Sequence, residues 1–164
     1  MKKVTMRQIT DNALVAAVYV AVTTLTASFS FLNIQFRIAE ILVLLCFFRK
    51  DFIFGVVIGT FLANLQSPMG FYDVLFGTLA SLLSCLAIGF SKHLFIATLY
   101  PVIINGLVVG AELHFLLAYP FWLNAGLVAL GEFAVVSVLG FSLFAILRRN
   151  RRFLEEIKAT QNNA

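Results

Sequence analysis

The chain has 164 residues, of which 61% are hydrophobic and 12% are charged. Soluble domains carry about 25% charged residues, so this composition excludes an ordinary soluble protein and predicts an integral membrane protein. The net charge is +4. The two cysteines, Cys46 and Cys85, lie in apolar runs without CxxC spacing and predict no disulfide.

Six apolar runs follow one another along the chain, and each predicts a membrane helix. They span residues 13–32, 36–48, 52–65, 73–90, 94–111 and 121–147. The second and third runs are shorter than the roughly 20 residues that a full crossing needs, so a re-entrant path is their alternative. Residues 66–72 predict a turn and residues 113–120 a loop, while residues 1–12 and 148–164 are polar ends.

The basic residues predict how the helices are oriented in the membrane. If all six runs cross, eleven of the twelve basic residues lie on one side and Arg37 lies alone on the other. Cytoplasmic segments are enriched in lysine and arginine. The sequence therefore predicts an all-α protein of the bacterial plasma membrane, with six transmembrane helices and both termini cytoplasmic. Residues 1–164 form a single membrane domain in this prediction, with 1–12 as the cytoplasmic N-terminus and 148–164 as the cytoplasmic tail.

The acidic residues predict an electronegative pocket near the outer surface. Glu40, Asp73, Glu112 and Glu132 lie on the outer side or in the outer half of their helices, with Arg37 as their basic neighbour. Such a field favours a cationic or proton-donating ligand.

Glu132 is the strongest candidate for binding a ligand, because ionisable residues inside a membrane are costly and mark functional sites. Asn105 and Glu112 are seven residues apart and share a helix face. The alternative for Glu132 is a protonated side chain hydrogen-bonded to a neighbouring helix. Gly106 and Gly110, beside the Asn105 face, also fit plain helix packing.

Further polar residues at the outer side complete the predicted substrate site, and each has a structural alternative. Trp122 either stacks on a planar ligand or anchors the membrane interface. Asp73 either binds the ligand or caps the fourth helix, and Arg37 with Glu40 either contacts ligand or only orders its loop. The remaining candidates are Gln35, Asn64 and His114.

A stripe of small residues on the first helix predicts a surface for close approach by another helix. Ala13, Ala17 and Ala21 recur every four residues and therefore share one face. Internal packing of the same stripe is the alternative.

The chain has no GxxxxGK[ST], HExxH, CxxC or GxSxG motif. It is therefore expected not to hydrolyse ATP itself, to hold no metal or cofactor, and to have no catalytic residues. The basic residues at 148–152 are interpreted as a positive-inside anchor rather than as a nucleic-acid site.

Four blocks of sequence resemble the substrate-binding S components of energy-coupling factor (ECF) transporters, and among them the QueT family. The blocks are Gln35-Phe36-Arg37-Ile38-Ala39-Glu40, residues 64–80, residues 101–113 and Ala129-Leu130-Gly131-Glu132. The resemblance covers about residues 10–147. Cys46-Phe47 is a departure, since a Leu-Pro-like end of the second helix is expected there.

The resemblance implies a small membrane protein that captures a micronutrient from outside the cell. It also implies a complex with a transmembrane coupling subunit and two ATPase subunits, for which Ala13, Ala17 and Ala21 form the contact. The implied ligand is a deazaguanine precursor of queuosine. Glu132 or Glu112 then accepts hydrogen bonds from its guanine-like edge with support from Asn105, while a second carboxylate pairs with an aminomethyl group.

Three alternatives to this ligand and function are open. An S component of similar frame binds another planar vitamin, such as a pyridoxine- or thiamine-like compound. An integral membrane enzyme uses Glu/His acid–base chemistry, although no motif supports it. An oligomeric channel requires a stripe of pore-lining polar residues on one helix, which the sequence does not have.

Overall fold

The computed structural model describes residues 5–27 and 36–162, and it is helical throughout this part, with no β-strand in either range. The all-α prediction is therefore confirmed for the described residues. Their helices are α1 Met6–Leu25, α2 Ile38–Phe48, α3 Phe52–Asn64, α4 Phe71–Phe90, α5 Leu94–Leu117, α6 Phe121–Leu147 and α7 Arg151–Asn162.

Four of these helices are long and apolar enough to cross a membrane. They are α1 and α4 with 20 residues each, α5 with 24 and α6 with 27. Helices α2 and α3 are shorter than the hydrocarbon core of a bilayer, at 1.5 Å per residue. Both are nevertheless apolar and contribute buried residues to the core, while one side of α3, including Phe54 and Ile58, is exposed.

The helices form a bundle in which neighbours along the chain run in opposite directions. Helix α3 packs between α1 and α4, α5 packs between α4 and α6, and α2 contacts α1, α4 and α6. One end of the bundle carries Arg37, Asn64 and Asp73 and is called the Arg37 end. The other carries Arg49, Lys50 and the start of α7 and is called the tail end.

Glycines allow two helix pairs to approach closely. The backbone N–H of Gly55 on α3 donates to Asn12 Oδ1 on α1 at 2.7 Å. A Cβ on Gly110 of α5 would lie 2.8 Å from Ala125 Cα on α6, closer than real contacts allow. The packing interpretation of Gly106 and Gly110 is thus supported, because both face α6.

Helices α2 and α6 each contain a stretch that departs from α-geometry, and these stretches pack against each other. Residues Ile38–Leu44 of α2 form a 3₁₀-helix, and residues Phe133–Gly140 of α6 form a π-helix. At Gly140 the backbone is close to the Leu44 side chain, since an added Cβ would lie 3.0 Å from Leu44 Cδ1. Short π segments occur often at functional sites, and this one begins directly after Glu132.

Arg49 ties three segments together at the tail end. Its Nη1 donates to Asp11 Oδ2 at 2.8 Å, and its Nε and Nη2 donate to the two carboxylate oxygens of Asp51. Burial opposes the charge of Arg49, but the hydrogen bonds to Asp51 and Asp11 outweigh it and raise the pKa of the guanidinium. A paired, bidentate arginine of this kind fixes α1 against the α2–α3 connection.

Two predicted boundaries are wrong, and a third is not tested. Helix α1 begins at Met6 rather than at residue 13, because Thr5 and Gln8 form a reciprocal capping box. Helix α5 continues to Leu117, so most of the predicted loop 113–120 is helical, and the helix ends where Ala118 takes a left-handed conformation with φ 56°. Residues 28–32, the predicted end of the first helix, lie outside the described residues.

The tail is not only a charged extension, because it contains α7. Phe153 of this helix packs edge-to-face on Phe48, with ring centroids 5.5 Å apart, and also contacts Phe144. Arg7 of α1 forms an ion pair with Glu156. The apolar face of α7 therefore covers the tail end of the bundle.

Candidate functional site

Glu40 lies inside the bundle, where α2 meets α1 and α4. Its Oε1 accepts a hydrogen bond from the Tyr19 hydroxyl at 2.6 Å and one from Ser81 Oγ at 3.3 Å. Arg37, one turn earlier, places Nη1 3.8 Å from the same oxygen. Glu40 Oε2 is buried and has no hydrogen-bond partner within the described part of the chain.

Glu132 forms the second polar group, at the junction of α6 with α5. Its Oε1 accepts a hydrogen bond from Asn105 Nδ2 at 2.8 Å, and the residue is only 3% exposed. Oε2 is buried and lacks a hydrogen-bond partner among the residues described. Each of the two glutamates thus has one oxygen held by the protein and one oxygen left for another donor.

Asp73 forms the third polar group, at the start of α4. Its side chain accepts a hydrogen bond from the Ser67 hydroxyl, and its backbone carbonyl accepts one from Asn64 Nδ2 at 3.0 Å. The N-cap of α4 is Gly70, with φ 60°, so the capping alternative for Asp73 is wrong. Asp73 instead lies in the first helical turn, where the helix dipole favours a negative charge.

Glu112 lies beside Asp73, between α5 and α4. It is 2% exposed, and neither carboxylate oxygen has a hydrogen-bond donor among residues 5–27 and 36–162. The Asp73 carboxyl, in the first turn of α4, interacts electrostatically with Glu112. Glu112 is therefore an acid that the fold buries without providing it with a donor in this part of the chain.

Arg37 joins these groups electrostatically, since it interacts with Glu40, Asp73, Glu112 and Glu132. These four acids around Arg37 are called the acidic cluster. One guanidinium among four buried carboxyl groups leaves an excess of hydrogen-bond acceptors. The arrangement suits a ligand that carries several N–H donors or a positive charge.

A groove of about 540 Å³ runs on the outside of the bundle between α4 and α5. Its walls are almost entirely apolar, and Glu112 is the acidic residue that lines it. Glu112 thus separates the acidic cluster from a surface that faces away from the bundle interior. No three His, Cys, Asp or Glu side chains within the described ranges gather as ligands of a metal ion.

The structure brings most predicted site residues together and places two elsewhere. Arg37, Glu40, Asn64, Asp73, Asn105, Glu112 and Glu132 lie in or next to the acidic cluster. His114 is exposed, and its Nδ1 is 2.7 Å from the Tyr119 carbonyl oxygen. Trp122 is 79% exposed on α6. Gln35 lies outside the described residues.

Three residues of the site were missed by sequence reasoning: Tyr19, Ser67 and Ser81. Tyr19 is fully buried, although it lies in an apolar run where a tyrosine resembles any other large side chain. Its position on the helix could have indicated this role. Tyr19 shares a face of α1 with Val15 and Ala16, which are also buried, and this face lies opposite the alanine stripe.

The alanine stripe of α1 lies on the surface. Ala13, Ala17 and Ala21 are all exposed, whereas Ala16 is buried against Gly59 of α3. Internal packing within the described chain therefore does not account for the stripe.

Comparison with known proteins gives a consistent result. The family model described as QueT transporter matches residues 9–149. A protein of Lactococcus lactis subsp. cremoris (strain MG1363), named queuosine precursor transporter QueT, is 32% identical over 168 residues, covering 91% of this chain and 97% of that protein. No solved structure matches the chain significantly.

Proposed function

Because the chain belongs to the QueT transporter family, we propose that it is the S component of an ECF importer and captures an aminomethyl-deazaguanine precursor of queuosine. The family and the long apolar helices make it a multi-pass protein of the plasma membrane. The buried acidic cluster also fits a transporter for a small molecule, because its carboxyl groups offer hydrogen-bond acceptors to a ligand.

The proposed topology has six crossings and both termini in the cytoplasm. It is supported by the alternating directions of α1 to α6 and by the positions of the basic residues. Arg37 lies at one end, while Arg49, Lys50, Lys92 and Arg148 lie at the other. The acidic cluster then faces the outside, where an imported ligand arrives.

The observation that carries the proposed ligand is the pair Glu132–Asn105. A guanine-like edge presents adjacent N–H donors, and a carboxylate oxygen accepts such donors in charge-assisted hydrogen bonds. Asn105 holds one oxygen of Glu132, which fixes the direction of the carboxylate, and leaves Oε2 for the ligand. Burial strengthens such charge-assisted hydrogen bonds because the surroundings have a low dielectric constant.

The proposed partners are a transmembrane coupling subunit and two ATPase subunits. The exposed alanine stripe of Ala13, Ala17 and Ala21 supports this, because small side chains allow close helix contact in lipid. The chain itself is proposed to bind substrate only, and ATP hydrolysis is assigned to the partners. The transporter family disfavours the enzyme alternative.

Calorimetric titration of the purified protein in detergent tests the proposed ligand. Aminomethyl-deazaguanine is expected to bind tightly, and pyridoxine and thiamine, the rivals from the vitamin alternative, are expected not to bind.

A Glu132→Gln variant should lose most of this binding, because the amide presents one acceptor and one donor group to the ligand edge. Binding of a rival vitamin by the parent protein would retain the transporter and discard the deazaguanine. Equal affinity in parent and variant would remove Glu132 from the site.

A further inference from the structure

Two acidic groups lie along one face of α5, at opposite ends of a two-turn interval. Asn105 holds Glu132 at the first position, and Glu112 approaches Asp73 at the second. Seven residues of α-helix separate Asn105 from Glu112, which corresponds to about 10.5 Å along the axis. A ligand that lies along this face therefore meets two carboxylate groups, one at each end.

The two groups differ in how the protein satisfies them. Glu132 has the Asn105 amide as donor and keeps one acceptor oxygen. Glu112 is only 2% exposed, and neither of its oxygens has a hydrogen-bond donor in the described part of the protein. Asp73, its neighbour, accepts from the Ser67 hydroxyl.

Two carboxylates side by side in a buried site repel each other unless a proton or a cation lies between them. An ammonium group has three N–H donors and one positive charge, so it satisfies both acids at once. The guanine-like edge is uncharged, so it does not supply the positive charge that two neighbouring carboxylates need. It fits the remaining acceptor oxygen of Glu132 instead.

Glu40 is the weaker candidate for a cation. Its Oε1 already accepts hydrogen bonds from Tyr19 and Ser81, and the Arg37 guanidinium lies 3.8 Å from it. Glu40 is therefore already served by donors and a cation of the protein, whereas neither oxygen of Glu112 has a donor among the described residues.

We infer that Glu112 and Asp73 bind the ammonium group of the ligand and determine the preference for an amine over an uncharged substituent. This inference rests on the proposed deazaguanine ligand. The ring edge then faces Glu132 and Asn105, while the aminomethyl group points toward the Arg37 end. The two recognition functions are separate, so each is expected to respond to its own substitution.

The test compares two ligands that share the deazaguanine ring, one with an aminomethyl group and the other with a nitrile at the same carbon. Calorimetry is used to measure Kd for the parent protein, Glu112→Gln and Glu132→Gln. We expect Glu112→Gln to weaken amine binding by about 10- to 100-fold, the usual effect of removing a charged hydrogen-bond partner. Nitrile binding should change by less than about threefold, within the error of context effects.

The control variants separate recognition from folding. Glu132→Gln should weaken both ligands, because both present the same ring edge to it. Glu155→Gln, on the exposed face of α7, should leave both affinities at the parent values. Asp73→Asn provides a second variant of the proposed ammonium site, should Glu112→Gln fold poorly, and is expected to show the same selective loss.

Equal weakening of amine and nitrile in Glu112→Gln and Asp73→Asn would overturn the inference, and so would unchanged amine binding in both. Selective loss of the amine supports it. If the parent protein binds neither ligand, the proposed function itself fails, and this result is visible before any variant is compared.

Discussion

The Tyr19 hydroxyl on α1 donates a hydrogen bond of 2.6 Å to Glu40 Oε1 on α2, and both side chains are buried. This bond connects the long first helix to the short second helix inside the bundle. We predict that Tyr19→Phe lowers the free energy of unfolding by about 1–3 kcal/mol, because a buried acceptor loses its closest donor. Denaturant unfolding in detergent measures the change. Tyr72→Phe, at an exposed site on α4, should change it by less than about 0.5 kcal/mol.

Asn105 is predicted to act through Glu132. An Asn105→Leu substitution removes the amide donor with little change in volume, and Glu132 Oε1 then loses the hydrogen bond that directs it. We expect Kd for the deazaguanine ligand to rise about tenfold. Asn124→Leu is the matched control, since Asn124 is a buried asparagine of α6 that donates to the Pro120 carbonyl. A similar loss of affinity in both variants would contradict a specific role of Asn105.

The exposed alanine stripe predicts a contact with the coupling subunit. Ala17→Leu should reduce the recovery of the partner subunits by affinity purification several-fold, because a larger side chain separates helices that meet through small residues. Ligand affinity of the isolated chain should not change. Gly126→Leu, another small-to-large change on a surface-facing site, has nothing within 4 Å of its Cβ and should preserve the complex. Equal recovery of partners by both variants would reject the stripe as the contact.

Gly110 and Gly126 form a second matched pair, for stability. An added Cβ at Gly110 would lie 2.8 Å from Ala125 Cα, so Gly110→Ala should destabilise the protein by about 1–3 kcal/mol. Gly126→Ala meets open space and should stabilise α6 by up to about 1 kcal/mol through helix propensity. Unfolding curves in detergent compare the two. Stabilisation by both substitutions would show that the α5–α6 contact yields more than the structure indicates, and destabilisation by both would contradict the open surroundings of Gly126.

We predict that replacing Arg49 lowers the free energy of unfolding by an amount that does not depend on pH over a wide range. Arg49→Gln leaves the partly exposed Asp51 and Asp11 without their partner and should cost about 1–3 kcal/mol. A raised pKa in the folded state means that the arginine contributes its stability fully below its unfolded pKa and loses it only above the folded pKa. Both pKa values lie well above the pH range of the experiment, so the difference between parent and variant should stay constant from about pH 7 to 10. A difference that falls steadily across this range would contradict the assignment.

The sequence predicted the acids of the site better than their partners. Glu132 and Glu112 were identified because charges are rare within apolar helices, and the seven-residue spacing placed Glu112 with Asn105 on one face. The hydrogen bond of Asn105 to Glu132 and the approach of Glu112 to Asp73 join residues of different helices. Periodicity along one helix contains no information about such pairs, because they depend on how helices pack.

Helix ends were predicted less well than helix interiors. The continuation of α5 to Leu117 was missed because Glu112 and His114 interrupt the apolar pattern, although they still fit a helix face. Helix α7 was missed because its charged composition obscured the apolar residues Phe153 and Ile157, which pack on the bundle. In both cases tertiary contacts stabilise a helix that hydropathy alone does not indicate.

The π segment Phe133–Gly140 connects Glu132, which binds Asn105, to the part of α6 where Phe144 stacks on Phe48 of α2. In a π-helix each N–H bonds the carbonyl five residues earlier, whereas an α-helix uses the fourth. One residue fewer in this segment would let it return to α-geometry while Glu132 and Phe144 keep their faces, because the π turn holds the extra residue. In a regular α-helix the same deletion would rotate the two halves by about 100° relative to each other. Homologous proteins with the same site should therefore tolerate a change of length in this segment better than elsewhere in α6.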